Sequence, residues 1–210
     1  MDDSAAAVAT WDRLAARYGA QERHELAAID AALALAAPQP ADRLVDLATG
    51  TGLLLRRLAA APVRPRAAIG LDHSAGMLAR VGDLPAGWST LTADARAVPL
   101  PDGSADVVTC AYLLQLLAPA DRAAVLAEAR RLLAREAGPR SRLVVVTTWA
   151  DGRLTRAALD RLARARPRTA GGMRPLDPAA DLASAGFETT QRLVLARGRY
   201  PSLVLAAQPR

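Results

Sequence analysis

The sequence predicts an α/β fold: a doubly wound, seven-stranded, mostly parallel sheet with one antiparallel strand near the C-terminus. Three observations predict it. From residue 43 onward, short apolar runs alternate with helical stretches, the pattern of a sheet wound with crossover helices. One of those runs, Leu143 to Thr148, is almost entirely β-branched and apolar, as suits a strand covered on both faces. The last two runs are joined so closely, through Gly198, that they read as a hairpin, which places one strand antiparallel to its neighbours.

The elements follow in order. Residues 5 to 18 and 22 to 37 are rich in Ala and Leu with charges spaced around them, predicting two helices that Pro38 and Pro40 close. Arg43 to Ala48 is an apolar run with one carboxylate. Gly50 and Gly52 follow, then a helical stretch from Leu53 to about Ala61, so this is strand, tight turn, helix. The unit repeats as a strand from Ala67 to Asp72, a helix from Ala75 to Val81, and a strand from Trp88 to Ala93 with Asp94 just past its end. Asp106 to Cys110 is the fourth strand. Pro119 to Arg135 is an amphipathic helix with Leu126, Leu132 and Leu133 near one face, and Leu143 to Thr148 is the fifth strand. A helix from Arg153 to Ala165, a loop through Gly171 and Gly172, and a helix from Pro178 to Ala185 precede the strands Phe187 to Leu195 and Tyr200 to Ala206. A chain of 210 residues fills one core of this size. Residues 1–210 are therefore expected to form a single domain, with 1–40 a helical lead-in or lid and 41–210 the core.

Composition narrows the chemistry. The chain is 51% hydrophobic, yet no run reaches the roughly 20 apolar residues of a spanning helix, so no membrane association is expected. Its first residues, Met1-Asp2-Asp3-Ser4, lack the basic and apolar regions of a secretory leader, and a cytoplasmic location is expected. Cys110 is the only cysteine, which excludes an internal disulfide framework, and neither His24 nor His73 has a metal-binding spacing. The net charge is +6, but all 27 basic residues are Arg and neither Lys nor Asn occurs, a pattern that GC-rich coding alone can produce. A nucleic-acid partner is accordingly not expected, and a homodimer is left open.

The strand ends carry the candidate site. In Asp46-Leu47-Ala48-Thr49-Gly50-Thr51-Gly52, the glycines let the backbone turn sharply and approach a ligand closely. Asp72 ends the next strand some twenty residues on, where a carboxylate can accept from both hydroxyls of a ribose. Asp94 ends the third strand, placed to accept from an exocyclic amine. Each has a plainer reading, a structural turn or a solvated strand-end carboxylate, and the three in register are what favour a nucleoside site.

Taken together, Asp46-x-Ala48-x-Gly50-Thr51-Gly52, Gly70-Leu71-Asp72-His73-Ser74 with Met77-Leu78, Ala93-Asp94-Ala95, and Leu100-Pro101-Asp102-Gly103-Ser104-x-Asp106-Val107-Val108 resemble class I, Rossmann-like S-adenosylmethionine (SAM)-dependent methyltransferases. The small-molecule group that includes the quinone-ring methylases is the most similar. The likeness spans roughly residues 10 to 207. It implies a SAM site, with S-adenosylhomocysteine as product, in which Gly50 and Gly52, with Ala48 and Thr49 beside them, line the methionine part and Asp46 lies near its amino group. Asp72 would hold the ribose hydroxyls, with Met77 in the helix that follows, and His73 would lie beside the adenine. Asp94 and Ala95 would meet the adenine's polar edge, Cys110 to Tyr112 would close the pocket under the sulfonium, and Tyr18 would act as a lid residue near the methionine carboxylate. Two departures stand out: Ala48 replaces the family's first glycine, and Gln115 stands where many relatives carry a His.

The resemblance implies methyl transfer by in-line displacement to an O, N or C nucleophile of a small molecule. The donor already carries its leaving group, so alignment alone supplies ~7–11 kcal/mol and a dedicated base is optional. The candidate bases are His73, Tyr18 and His24, each with a packing or surface role as the plainer reading. Trp11 and Trp149 frame an acceptor pocket or simply pack, and the Arg group from Arg153 to Arg174 draws in an anionic acceptor or is a solvated face. The competing functions are an RNA or protein methyltransferase and a SAM-binding partner or sensor without turnover. A nicotinamide enzyme is disfavoured because Gly-x-Gly-x-x-Gly does not occur in the turn.

Overall fold

The computed structural model describes residues 3–133, 141–150, 161, 174–196 and 200–210, residues 3–7 by backbone alone. The expected helix at 153–165, the loop at Gly171 and Gly172, the link through Gly198 and most of the Arg group lie outside the described residues.

The chain begins with one long helix, α1 (Asp3–Ala36), where the sequence pattern predicts two. Gly19 sits at the expected break, but the Ala, Leu, Arg and Glu around it are strong helix formers, and they outweigh the cost of one glycine, about 1 kcal/mol. A Cβ on Gly19 would meet nothing within 4 Å, so no close packing forces the chain to turn there. The helix ends where Ala37 enters the left-handed region at φ 36° and donates its N–H to Leu33 O, just before Pro38.

The remaining elements are β1 (Arg43–Leu47), α2 (Leu53–Ala59), β2 (Ala67–Asp72), α3 (Ala75–Leu78), β3 (Trp88–Thr92), β4 (Val107–Ala111), α4 (Pro119–Leu132), β5 (Arg142–Thr148), α5 (Ala179–Ser184), β6 (Phe187–Leu195) and β7 (Ser202–Pro209). They form one seven-stranded sheet in the order β3-β2-β1-β4-β5-β7-β6. β7 lies between β5 and β6 and runs antiparallel to both, while the other neighbouring pairs are parallel, as the sequence predicts.

Alternation along the strands sends side chains to two separate cores. On one face Leu44, Val144, Val146 and Val204 pack with Ala28, Ile29, Ala32 and Ala36 of α1 and with Leu54, Leu55 and Leu58 of α2. On the other, Val45, Leu47, Val145, Leu203 and Leu205 pack with Leu126 and Leu132 of α4, Leu182 of α5 and Phe187. The apolar run of β5 is explained by this double cover, because its residues from Leu143 to Thr148 are all buried. The winding reverses between β1 and β4, and in open sheets of this kind ligands bind beyond the carboxyl ends of the strands at such a switch point.

Candidate functional site

Three residues in five adopt left-handed backbone after β1: Ala48 at φ 57°, Gly50 at φ 58° and Gly52 at φ 80°. This coil brings the turn against the tip of β2, where Thr49 N donates to Leu71 O at 2.8 Å and Gly50 N donates to Asp72 Oδ2 at 2.9 Å. The two glycines have different reasons. A Cβ on Gly50 would meet nothing within 4 Å, so that position borders open space. A Cβ on Gly52 would lie 2.7 Å from Val81 Cγ1, so Gly52 is required by packing against the residues that follow α3.

Asp72 Oδ1 accepts from Ser74 N at 2.8 Å while Oδ2 holds Gly50, leaving lone pairs on both oxygens for further donors. Burial raises its pKa, and the N–H groups of Ser74 and Gly50 pull against that rise. Asp46 is 2% exposed and takes the Thr109 hydroxyl at 2.6 Å. Its carboxyl is pushed up to about 6, chiefly by burial, with the charge of Asp72 adding to the effect. Cys110 is buried beside Asp46, and burial followed by that charge pushes its thiol well up, so it is a packed thiol and not a nucleophile.

The third carboxylate is committed to a partner in the chain. Asp94 accepts the Arg96 backbone N–H at 2.8 Å and its guanidinium at 2.7 and 3.1 Å, and Arg96 reaches on to Asp121 at 2.8 Å. The Arg96 side chain holds the Asp94 carboxyl below the usual range. Ala95 and Met77 are buried, and Ser74 caps α3 by accepting from Met77 N at 3.1 Å. His73 is exposed at the tip of β2. His24 is half-buried on α1, with Nε2 accepting from Arg23 at 3.2 Å.

Helix α1 closes this end of the sheet through three carboxylates the sequence reading did not single out. Asp12 accepts from the Ser74 hydroxyl and from Gly76 N. Glu22 accepts from Thr51 of the glycine turn and, at 2.7 Å, from Arg56 of α2. Glu25, 4% exposed, accepts with Oε1 from Tyr18 Oη and from Gln21 Nε2, each at 3.0 Å. A signal was present for Glu25: it stands three and four residues before the core positions Ala28 and Ile29, on the same helical face. Tyr18 also meets Trp11 edge-on at 6.2 Å.

Past β4, Tyr112 is buried in the left-handed region at φ 58°, and its hydroxyl shares a 2.8 Å hydrogen bond with Ser202 at the start of β7. Tyr200 packs edge-on to it at 5.2 Å. Gln115, noted for replacing a His, is structural: its buried Oε1 accepts from Thr148 N at 2.9 Å and finishes β5. Trp149 stacks with the Arg192 guanidinium at 5.0 Å, a packing role.

The residues fit an adenosyl-sulfonium ligand. Open space beyond Gly50 lies beside a carboxylate, Asp72, that keeps acceptor capacity on both oxygens, and a second carboxylate, Asp46, is buried close enough for the charge of Asp72 to add to the rise of its pKa. Residues 44–136, the part of the chain that holds these groups, match the family model described as a methyltransferase domain. That stretch of the chain is thus similar to methyltransferase domains, and the chain around it has the same fold as SAM-dependent class I methyltransferases.

Solved structures agree in fold. A chain of the Haloferax volcanii complex that contains the Trm112 methyltransferase activator is 20% identical, covers 95% of this chain and 98% of its own, and superposes with a TM-score of 0.75. Magnesium protoporphyrin IX methyltransferase from Synechocystis PCC 6803, solved with S-adenosylhomocysteine, is 19% identical over 100% of both chains at a TM-score of 0.67. A geranyl diphosphate methyltransferase solved with sinefungin is 16% identical, covering 90% of this chain and 80% of its own, at a TM-score of 0.66. No curated protein matches the sequence.

Proposed function

We propose that this enzyme methylates a small molecule, acting as a single domain over residues 1–210 in the cytoplasm. The observation that supports the reading best is the pairing of the open position at Gly50 with the half-buried, half-satisfied carboxylate of Asp72. The same fold in methyltransferases whose names give a porphyrin and a prenyl diphosphate as acceptors supports a small acceptor here. When bound, SAM supplies a methyl group on a sulfonium, already an electrophile with its leaving group attached.

The chain's own residues then bind and orient. Asp72 accepts from the ribose hydroxyls, Ala48, Thr49 and Gly50 border the methionine part, and Asp46 faces its ammonium group. Ala95 and Met77 enclose the adenine with His73 at its outer edge, and Cys110 and Tyr112 floor the pocket. Asp94 serves this site by fixing the loop after β3 through Arg96, and the backbone of that loop meets the adenine edge. Gly52 supports the turn by fitting against Val81.

Calorimetry of SAM, S-adenosylhomocysteine and NAD tests the cofactor, and a radiolabelled-methyl screen against amines, phenols and tRNA tests the acceptor class. Asp72→Ala weakens SAM by ~1–3 kcal/mol through lost charge-assisted hydrogen bonds. Unchanged SAM affinity in that variant removes Asp72 from the site, and methyl transfer to tRNA alone overturns the small-acceptor reading.

A further inference from the structure

Glu25 is a buried carboxylate, 4% exposed, with no counter-charge among the described residues. Its Oε1 is taken by Tyr18 and Gln21, and Oε2 accepts no hydrogen bond from a described residue. Among the described residues no Arg or His pairs with it; the groups that bear on it are Tyr18, Gln21 and Glu22 of its own helix. From the other elements it is faced by Tyr112, after β4, and Tyr200, before β7, both close enough to feel its charge. Burying a carboxylate costs several kcal/mol unless it is paired. Among the described residues, those around it supply neutral hydroxyls, an amide and aromatic rings.

That combination has a chemical meaning. Aromatic faces carry negative potential and attract cations, and a desolvated carboxylate among them attracts a cation more strongly still. The same surroundings repel an anion and give a neutral phenol no advantage. The cluster is also continuous with the cofactor region, because Glu22, one turn before Glu25, holds Thr51 of the glycine turn. Tyr112 directly follows β4, whose Cys110 lies beside Asp46.

We propose that Glu25, with the rings of Tyr18, Tyr112 and Tyr200, forms the acceptor subsite of this methyltransferase, and that it recognises a cationic amine. Resting on the SAM-dependent reading above, it names the substrate class of that site: the ammonium group of the acceptor is the counter-charge that Glu25 lacks among the described residues. Glu25 binds in its charged form, and its pKa is raised chiefly by burial, so recognition strengthens with rising pH until the carboxyl is fully ionised.

The test uses the whole chain saturated with S-adenosylhomocysteine and two probes of one shape: choline, a permanent cation that cannot accept another methyl, and 3,3-dimethylbutan-1-ol, its neutral counterpart. Calorimetry or intrinsic fluorescence is expected to show choline binding tighter by about tenfold or more, a preference that fades toward acid pH. Glu25→Gln removes the preference, and Tyr200→Leu reduces it several-fold and reads the same site should Glu25→Gln fold poorly. Asp30→Asn, in an exposed ion pair on the outer side of α1, leaves the preference intact. Equal binding of the two probes, no binding of either, or a preference that survives Glu25→Gln overturns the proposal. So does a Glu25→Gln variant that loses SAM affinity while keeping that for S-adenosylhomocysteine, which would assign the carboxylate to the sulfonium. Loss of SAM binding by the wild-type chain would sink the cofactor reading, whereas the choline preference is read without SAM.

Discussion

Replacing Asp46 with Asn should stabilise the empty enzyme and weaken its hold on SAM, and the stability gain should depend on pH. Asp46 is 2% exposed, has the Thr109 hydroxyl as a partner, and carries a carboxyl pushed from 3.8 to about 6. A carboxyl with a raised folded pKa binds its proton more tightly folded than unfolded, so its contribution is intact below about pH 3.8 and is lost as pH rises through about 6. At about 1.4 kcal/mol per pH unit, the interval from 3.8 to about 6 corresponds to about 3 kcal/mol of destabilisation at pH 8. Asn keeps the shape and an acceptor for Thr109 without the charge. Urea unfolding of both chains from pH 4 to 8 should therefore give curves that nearly meet at pH 4 and separate by up to about 3 kcal/mol at pH 8, with Asp46→Asn the more stable. Calorimetry at pH 8 should show SAM bound at least tenfold more weakly by the variant if Asp46 faces the methionine ammonium as proposed. A constant stability difference across that range, or a variant less stable at pH 8, would refute the burial argument; unchanged SAM affinity would detach Asp46 from the ligand.

Three further outcomes follow from the backbone of the same region. Gly52→Ala places a methyl 2.7 Å from Val81 Cγ1 at φ 80°, so thermal unfolding should show a loss of about 1–3 kcal/mol, and adding Val81→Ala should recover the packing part but not the backbone part. Ala48→Gly relieves a left-handed alanine at φ 57°, worth about 1–2 kcal/mol less glycine's entropic cost of about 0.5–1 kcal/mol; a rise of about 1 kcal/mol in denaturant unfolding is expected, and a fall would show the strain is absent. Gln115→Ala strands the buried Thr148 N–H and should cost about 1–3 kcal/mol by the same measurement, while leaving SAM affinity unchanged.

Much of the fold was legible because its signals are local. Ala67–Asp72 and Phe187–Leu195 are strands over the same residues that the apolar runs mark, and the tight C-terminal link correctly indicated the antiparallel β7. The helical lead-in was misjudged at Gly19 because one glycine looks like a break in sequence, whereas the cost of breaking a helix depends on what packs on either side. Where backbone geometry demands a residue type, as at Gly50 and Gly52, and where a strand tip fixes a carboxylate, as at Asp72, the sequence marked candidate positions that the structure brings together. The site was illegible where roles depend on distant partners. Nothing near Asp94 in sequence says that its neighbour Arg96 will close back onto it and reach Asp121. Nor does a glutamate inside a helix announce that it meets tyrosines contributed 87 and 175 positions later, as Glu25 does with Tyr112 and Tyr200.

From Asp12 to Ala36, α1 is bolted to the rest at both levels: its carboxylates grip the glycine turn and the start of α3, and its alanines and Ile29 supply a wall of the sheet's own interior. Cutting the polypeptide near residue 40 would thus strip hydrophobic cover from β5 and β7 and unfasten the glycine turn and the start of α3 in one stroke. Raised ionic strength is expected to weaken the Glu22–Arg56 pair at this rim while the apolar side of the same helix stays seated against the sheet.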